Sequence, residues 1–264
     1  MNVLFLGEGK LAYTCLNVLL DDEFSKKYDL KSIVSSDTFY KNLSSNCDAQ
    51  ISFISNHLRN EDLIIQEIDR LEIEVLISVQ HKWVLSGQVL NKLNGNAFNL
   101  HNAKLPDYKG YNSISHAIYL KESNYFVTIH KIETEVDTGA IALETEIEMS
   151  PDETALSLYR KTIPASEALF KNFLISLDVG SLAFKTQRGF GKFYDKNGLD
   201  EMRLLKFSDG EEKLDRKVRA LYFPPYEPAY FVINDKKFYC VPNNPDANIW
   251  LGESPLNRSN WDKA

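Results

Sequence analysis

The chain has 264 residues, of which 44% are hydrophobic and 25% charged, which is the composition of an ordinary globular protein. Its formal net charge of −7 disfavours a nucleic-acid partner, because binding to a phosphate backbone calls for a basic surface. Three cysteines without a CxxC pair indicate neither a disulfide framework nor a zinc site, and no apolar run approaches the roughly 20 residues of a membrane span. We therefore expect a cytoplasmic protein with free thiols that does not enter a membrane.

Strand and helix patterns alternate through the N-terminal part of the chain. Short apolar runs predict buried strands, and apolar residues spaced three or four apart predict helices. The predicted strands cover 3–6, a segment ending near 33–34, 51–54, 75–79 and 97–101, and the predicted helices cover 11–20 and 60–71. This alternation predicts an α/β fold with a Rossmann-like, mostly parallel sheet flanked by helices.

The pattern changes in the second half. Residues 125–132 and 141–149 alternate like half-exposed strands. Ser150 as N-cap, Pro151 at the first position and Glu153 at the third predict a helix that runs towards Leu177 and stops before Gly180.

A composition shift after residue 180 predicts a smaller C-terminal domain. Glycine-rich turns are followed by a predicted helix over 211–221 and a predicted hairpin formed by 229–233 and 237–241. We therefore predict one domain over 1–180 and a second over 181–264. The edge of its hairpin is a surface through which two copies would form a homodimer.

Two polar side chains share one face of the predicted strand over 97–101. Asn99 and His101 are two positions apart, and Leu105-Pro106 ends the strand shortly afterwards. The carboxyl end of a strand is where ligands bind in open α/β sheets. Asp137 follows the strand over 125–132 and begins an Asp-Thr-Gly turn, so it can return beside this site. An amide, an imidazole and a carboxylate suit acid–base chemistry with stabilisation of an oxyanion.

A glycine turn offers a second interpretation. Residues 7–12, with the sequence GEGKLA, match the relaxed Gly-x-Gly-x-x-Ala spacing of a dinucleotide-binding turn, and Asp37 stands where a ribose-binding acid would be. A turn of this kind at a helix start binds any phosphate through free backbone N–H groups. An NAD-dependent dehydrogenase is thus an alternative, although it leaves Asn99, His101 and Asp137 without a role.

The ordered set of Asn-x-His, Leu-Pro, Gly, Thr-x-His and Asp-x-Gly resembles the formyltransferases that use 10-formyltetrahydrofolate. The resemblance covers roughly residues 1–180. Within that superfamily, residues 80–85, 104–113 and 217–225 look like the sugar N-formyltransferases, which formylate a nucleotide-linked amino sugar. Residues 102–104 are Asn-Ala-Lys, whereas many members carry Ser-Leu-Leu there, and this departure adds polarity beside the strand.

The resemblance implies roles for individual residues. Asn99 would donate to an oxyanion, His101 would move the proton, and Asp137 would orient His101 and raise its pKa. No metal is needed. The folate-binding residues implied are Gln80, His81, Lys82, Trp83, Val84 and Gly139. The acceptor-binding residues implied are Gly9, Lys10, Lys109, Asn112, Arg219, Tyr222 and Phe223.

The acceptor implied by the resemblance is a dTDP-linked amino sugar, with dTDP-4-amino-4,6-dideoxyglucose as the leading choice. Its product would enter lipopolysaccharide O-antigen synthesis. Three other acceptors remain open: a UDP-amino sugar, methionyl-tRNA and glycinamide ribonucleotide. The acidic composition argues against the transfer RNA.

Overall fold

The computed structural model describes residues 1–43 and 51–243, which form strands and helices in alternation. The strands are β1 (Asn2–Gly7), β2 (Asp29–Ser35), β3 (Ser52–Ser55), β4 (Val75–Val79), β5 (Ala97–His101), β6 (Lys109–Gly110), β7 (Asn124–Lys131), β8 (Ile141–Glu148), β9 (Phe193–Tyr194), β10 (Tyr230–Ile233) and β11 (Lys236–Tyr239). The α-helices are α1 (Gly9–Leu20), α2 (Asp37–Leu43), α3 (Glu61–Arg70), α4 (Gly87–Lys92), α5 (Ser113–Tyr119), α6 (Ala155–Asp178), α7 (Asp200–Arg203) and α8 (Glu211–Ala220). Short 3-10 helices lie at Asn56–Leu58 and Phe207–Asp209.

The main sheet has seven strands in the order β3-β2-β1-β4-β5-β7-β8. The pairs β1–β2, β2–β3, β1–β4 and β4–β5 are parallel, whereas β5 and β7 are antiparallel. All five residues of the central strand β4 are buried, as expected of a parallel strand covered on both faces. The predicted fold class is confirmed.

The hydrophobic core on one side of the sheet is built from strand side chains and α3. Ile64 and Ile68, four residues apart on α3, pack against Leu4, Leu6 and Leu76 of the strands. The spacing puts one apolar stripe of α3 against the sheet, and burial of each such side chain contributes about 1.5–3 kcal/mol. This packing fixes the strands whose carboxyl ends carry the polar residues.

Contacts within the described ranges divide the chain into two compact units, neither continuous in sequence. The first unit comprises residues 1–106, 127–145 and 163–190. The second comprises residues 107–126, residues 146–162 and the described residues from Gly191 onward, including the predicted hairpin, which is β10–β11. The domain division predicted at residue 180 stays a prediction, and residues 107–126 and 146–162 group with the C-terminal part.

The start of the long helix α6 was predicted too early. Ser150 does bind Glu153, with Ser150 N and Oγ donating to Glu153 Oε2 at 3.2 and 3.1 Å. These bonds close a turn, and the helix begins only at Ala155. Thr154 accepts at Oγ1 from Ser157 N at 3.1 Å, which is the capping bond of the actual helix start.

Two further expectations concern single residues. Asp37 begins α2 two residues after β2 ends at Ser35, so it lies near the end of the second strand, as expected. Cys15 and Cys240 are free thiols, and burial raises the pKa of Cys15. Cys47 lies outside the described residues.

Within the described ranges, no helix is long and apolar enough to cross a membrane.

Candidate active site

Two neighbouring strands, β5 and β7, carry the polar side chains of the predicted site. Because they are antiparallel, Asn99 pairs with His130 and His101 with Thr128 in the register. Thr128 Oγ1 donates to the carbonyl oxygen of Ala103 at 2.7 Å, which ties the segment after β5 to β7. The local pairing therefore presents Asn99, His101 and His130 as one group.

The structure brings Asn99, His101 and Asp137 together as predicted, and it adds His130. His101 Nδ1 lies 3.6 Å from Asp137 Oδ2, and His130 Nε2 lies 3.4 Å from Asp137 Oδ1. Asn99 Nδ2 lies 3.2 Å from His130 Nε2. The side chains of His101 and Asp137 are only 10% and 9% exposed, so bulk water screens this group weakly. His130 is thus part of the group that the two strands bring together.

The hydrogen bonds of His130 fix its tautomer and the orientation of the Asn99 amide. His130 Nδ1 lies 2.7 Å from the carbonyl oxygen of Lys131, which can only accept, so Nδ1 carries a proton. In the neutral ring Nε2 is then an acceptor, and Asn99 Nδ2 donates to it. The second N–H of the Asn99 amide is left to donate to another oxygen. This is the donor that an oxyanion requires.

The turn that carries Asp137 is held by Gly139 and Gln187. Asp137 has a φ of 55°, which is unusual for a residue with a side chain. A Cβ at Gly139 would lie 1.9 Å from the carbonyl oxygen of Lys131, so only glycine fits there. Gln187 Nε2 donates to the carbonyl oxygens of Asp137 and Gly139 at 2.9 and 2.8 Å. These contacts place the Asp137 carboxylate between the two imidazoles.

Sequence reasoning missed Gln187. Two residues before it, Lys185 exchanges backbone hydrogen bonds with Ile141 at 2.8 and 2.9 Å in an antiparallel bridge. Phe184 and Thr186, two residue types enriched in strands, alternate with Lys185 and Gln187, which is the signal of an extended segment that could have been recognised. The bridge brings Gln187 to a turn some fifty positions earlier in the chain.

The loop after β4 meets the glycine turn after β1. Lys82 Nζ lies 3.0 Å from Glu8 Oε2, and Asn56 Nδ2 donates to Glu8 Oε1 at 2.6 Å. Gln80 Oε1 lies 3.2 Å from the position that a Cβ on Gly9 would occupy, and Gly9 has a φ of +78°. Glu8 therefore links the carboxyl ends of β1, β3 and β4 through its two oxygens.

His81, in the same loop, is half-buried, and its two buried ring nitrogens have unused hydrogen-bonding capacity. Neither of its ring nitrogens has a hydrogen-bond partner within the described ranges, and its ring packs edge-on against Trp83 at 5.1 Å. Burial lowers the pKa of His81 to about 4, so the ring is neutral near pH 7. Next to it, Val84 is 58% exposed. An apolar side chain beside an unpartnered imidazole suits a planar polar ligand.

Comparison with known families gives these groups a context. The family described as formyl transferase matches residues 23–173, more than half of the chain. The chain belongs to the formyl transferase family. A GDP-perosamine N-formyltransferase of Brucella melitensis biotype 1 is 30% identical over 166 residues, which are 63% of this formyl transferase and 63% of that relative. A methionyl-tRNA formyltransferase of Thermotoga sp. (strain RQ2) is 28% identical over 73% of this chain and 61% of its own length.

Solved structures share the fold of this formyl transferase at low sequence identity. A sugar N-formyltransferase from Shewanella sp FDAARGOS_354 has a TM-score of 0.75 and 20% identity, over 92% of this chain and 97% of its own. An N-formyltransferase from Helicobacter canadensis, solved with folinic acid and dTDP-3-aminofucose, has a TM-score of 0.65 and 19% identity, over 89% and 85%. These likenesses establish the fold.

The glycine turn after β1 leads into α1, and the free backbone N–H groups at the start of this helix can bind an anion. Helix α1 begins at Gly9, and its N-cap residue Glu8 makes no side-chain capping bond within the described part of the chain. Lys10 is exposed, with Nζ 5.7 Å from the centre of the Tyr13 ring. Backbone N–H groups at a helix start, with a lysine beside them, suit a phosphate.

Predicted acceptor residues at the end of α8, in the second unit, are already engaged in the fold. Arg219 donates from Nε to Asp215 Oδ2 and from Nη1 to the carbonyl oxygen of Glu153, both at 2.8 Å. Tyr222 is fully buried, and its carbonyl oxygen accepts from Leu156 N at 3.0 Å. The expectation that Tyr222 offers a ring face to a base therefore does not fit its burial.

The other three predicted acceptor residues of the second unit are at least partly accessible. Phe223 packs edge-on against Tyr159 at 5.2 Å. Asn112 caps α5 in the left-handed conformation and donates from Nδ2 to the carbonyl oxygen of Lys196 at 3.2 Å. Lys109 lies in β6 and is half-buried. Among the described residues of this formyl transferase, no group of three histidine, cysteine, aspartate or glutamate side chains could hold a metal ion.

Proposed function

We propose that this formyl transferase is a sugar N-formyltransferase. It moves the formyl group of 10-formyltetrahydrofolate to the amino group of a nucleotide-linked amino sugar, with dTDP-4-amino-4,6-dideoxyglucose as the leading acceptor. The observation that carries the proposal is the buried group of Asn99, His101 and Asp137 at the carboxyl end of β5. The product would serve lipopolysaccharide O-antigen synthesis.

Asn99 stabilises negative charge in the proposed reaction. The neutral sugar amine attacks the formyl carbon, and the formyl oxygen takes the negative charge. The N–H of Asn99 that does not face His130 donates to this oxygen. Such a preorganised donor lowers the barrier by roughly 2.7–4 kcal/mol.

His101 moves the proton that the reaction transfers. The attacking nitrogen must lose a proton and the departing folate nitrogen must gain one, and an imidazole exchanges protons near neutral pH. Asp137 faces Nδ1 of His101 at 3.6 Å, so it orients the ring and stabilises its protonated form. This distance is longer than a hydrogen bond, which is common before substrates bind and draw the catalytic groups together.

Two features of the first unit support the binding assignments. Half-buried His81, with both ring nitrogens unpartnered in the described structure, and exposed Val84 suit the pterin edge and ring of the folate. The start of α1 at Gly9 with Lys10 suits the pyrophosphate of the acceptor. For the second unit, Lys109, Asn112 and Phe223 remain proposed acceptor contacts.

The choice of acceptor class follows from charge and from relatives. A net charge of −7 disfavours a transfer RNA. Relatives are named for GDP-perosamine and solved with dTDP-3-aminofucose, so both the base and the sugar differ among them. The experiment below therefore varies the nucleotide and includes glycinamide ribonucleotide and methionyl-tRNA. A dehydrogenase is not favoured, because it leaves the group of Asn99, His101 and Asp137 without a role.

The proposal includes a homodimer and a cytoplasmic location. The β10–β11 hairpin leaves apolar side chains exposed on both faces, with Val232 and Tyr239 on one and Ile233 and Phe238 on the other, each 45% to 51% exposed. A second copy would cover part of this apolar surface. Free thiols at Cys15 and Cys240 fit a reducing compartment. Sedimentation of the wild type against Val232→Lys tests the dimer, since a charge on this surface would shift the protein to monomer.

The experiment that tests the proposed function is mass spectrometry of acceptors incubated with the protein and 10-formyltetrahydrofolate. The panel contains dTDP-, UDP- and GDP-linked amino sugars, glycinamide ribonucleotide and methionyl-tRNA. We expect one nucleotide sugar to gain the mass of a carbonyl group, and the gain to disappear in His101→Asn. A gain only on glycinamide ribonucleotide or methionyl-tRNA, or on no acceptor, would contradict the proposal.

A further inference from the structure

The second unit contains a cavity that the proposed reaction does not use. Its volume is about 770 Å³, within the range of small-molecule sites. All of its lining residues belong to the second unit, mainly to α5, α7, α8 and the start of β10. The polar lining side chains are His116, Lys192, Asp200, Glu201, Lys206, Asp209, Lys213 and Lys217.

Cations outnumber acids in this lining. Lys213 and Lys217 share the single carboxylate of Asp209, at 2.7 and 2.6 Å. Asp200 is already paired with Arg203, so among the described residues that line the cavity Glu201 is the acid without an ion pair. The single negative charge of Glu201 faces three positive charges without a paired acid: one from the pair of Lys213 and Lys217, and one each from Lys192 and Lys206. The cavity therefore favours a negatively charged occupant.

Lys192 and Lys206 supply ammonium groups without a partner acid. Both side chains are exposed, and within the described ranges neither has a carboxylate within 4.0 Å. Lys192 Nζ lies 4.7 Å from the centre of the Tyr194 ring, a contact that positions the cation without neutralising it. Both ammonium groups are thus available to a ligand.

His116 adds an unpartnered hydrogen-bonding group to the cavity wall. It is only 8% exposed, its ring stacks on Tyr194 at 4.0 Å, and Nε2 has no hydrogen-bond partner among the residues that the structure describes. A Cβ on Gly198 would lie 3.4 Å from this nitrogen, so Nε2 faces a part of the wall that has no side chain. Burial, with a smaller contribution from Lys192, lowers the pKa of His116 to about 4. The ring is neutral near pH 7 and able to donate or accept.

We propose that this cavity binds a small organic phosphate, with Lys192 and Lys206 on the phosphate group and His116 hydrogen-bonded to the ligand. Two separate ammonium groups suit a phosphate, which carries more charge and more acceptor oxygens than a carboxylate. The volume exceeds that of the phosphate alone, and Tyr119 and Tyr230 provide aromatic wall for an organic part. The inference does not depend on formyl transfer, because none of these residues has a role in it.

The test follows the imidazole signals of the full-length protein by NMR during titration with pyrophosphate and then dTDP. With five histidines in the chain, His116→Phe identifies the His116 signal. The double variant Lys192→Glu with Lys206→Glu removes the two cations, and both positions are exposed, so folding is retained. Lys26→Glu, also exposed and in the first unit, is the control for a change in net charge.

We expect a saturable shift of the His116 signal at millimolar pyrophosphate or below. Affinity should fall at least tenfold in the double variant and stay unchanged in Lys26→Glu, and dTDP should bind more tightly than pyrophosphate. No saturable shift, or equal affinity in the double variant, would overturn the proposal. Formyl transfer by the double variant is measured in parallel and should match the wild type, so failure of this site is distinguishable from failure of the proposed function.

Discussion

Two aspartates, Asp137 in the first unit and Asp209 in the second, meet positively charged or basic groups in different ways. Asp209 accepts short hydrogen bonds from Lys213 and Lys217 at 2.7 and 2.6 Å, and these bonds hold its pKa well below the usual range. Asp137 lies 3.4 and 3.6 Å from the nitrogens of His130 and His101.

In the proposed reaction, the difference separates a structural carboxylate from a catalytic one. A lysine ammonium stays protonated at neutral pH, so the contacts of Asp209 are permanent and fix α8 to the preceding 3-10 helix. An imidazole exchanges protons near pH 7, and the longer distances around Asp137 leave room for the ring to gain charge and move closer during the reaction. Burial alone does not distinguish the two sites, since the side chains of both aspartates are less than 10% exposed.

Replacing His101 should give the largest effect. His101→Asn keeps a polar side chain but cannot carry the proton, so turnover should fall by about 10²- to 10⁴-fold. The KM for the acceptor should change little, because the proton moves only in the transition state. Steady-state kinetics are measured for His101→Asn and for the control His57→Asn, which makes the same substitution at an exposed histidine. Wild-type turnover with weakened acceptor binding would assign His101 to binding instead.

Removal of the Asn99 amide should have the next largest effect. Asn99→Ala loses the donor to the oxyanion, and turnover should fall by about 10²- to 10³-fold. The substitution also leaves His130 Nε2 without its donor. Asn91→Ala, on the exposed face of α4, is the matched control. An Asn99→Ala protein with unchanged turnover would contradict the donor role.

A smaller effect is expected at Gln187, which positions Asp137 through two backbone carbonyls. Two net hydrogen bonds are worth roughly 1–3 kcal/mol, so Gln187→Ala should reduce turnover about tenfold. The acidic limb of the pH–rate profile should shift as well, because Asp137 would no longer be held against His101. Thr138→Val, which loses a bond to Glu135 in the same turn, is the control. A lower melting temperature with an unchanged profile would make Gln187 purely structural.

The smallest effect should be on stability and arises at His81. Its pKa in the folded state is about 4, below the ordinary 6.5, so the unfolded chain binds the proton first. Stability should therefore fall as the pH drops from 6.5 to 4, by about 3 kcal/mol at most, and no further below that. Urea unfolding of His81→Phe across this range should show a flatter curve than the wild type, and His57→Phe should not. Parallel curves for wild type and His81→Phe would refute the assignment.

Short-range pattern was enough to predict the fold and the core of the site. Alternation along β5 placed Asn99 and His101 on one face, and the order of motifs brought Asp137 back beside them. What the sequence did not show depended on long-range contacts. The hydrogen bonds of Gln187 join residues some fifty positions apart. Tyr222 is buried in a segment whose backbone bonds to Leu156, more than sixty positions earlier in the chain. The start of α6 was predicted too early because Ser150 and Glu153 bind each other in a turn as readily as in a capping box.

The central claim is that Asp137 serves the reaction and Asp209 serves the fold. The most direct measurement compares Asp137→Asn with Asp209→Asn, two substitutions of the same shape, for formyl transfer and for melting temperature. We predict that Asp137→Asn loses turnover by about 10²-fold or more at nearly unchanged melting temperature. Asp209→Asn should melt at lower temperature with turnover close to the wild type. Full turnover in Asp137→Asn, or loss of turnover in a stable Asp209→Asn, would contradict the account.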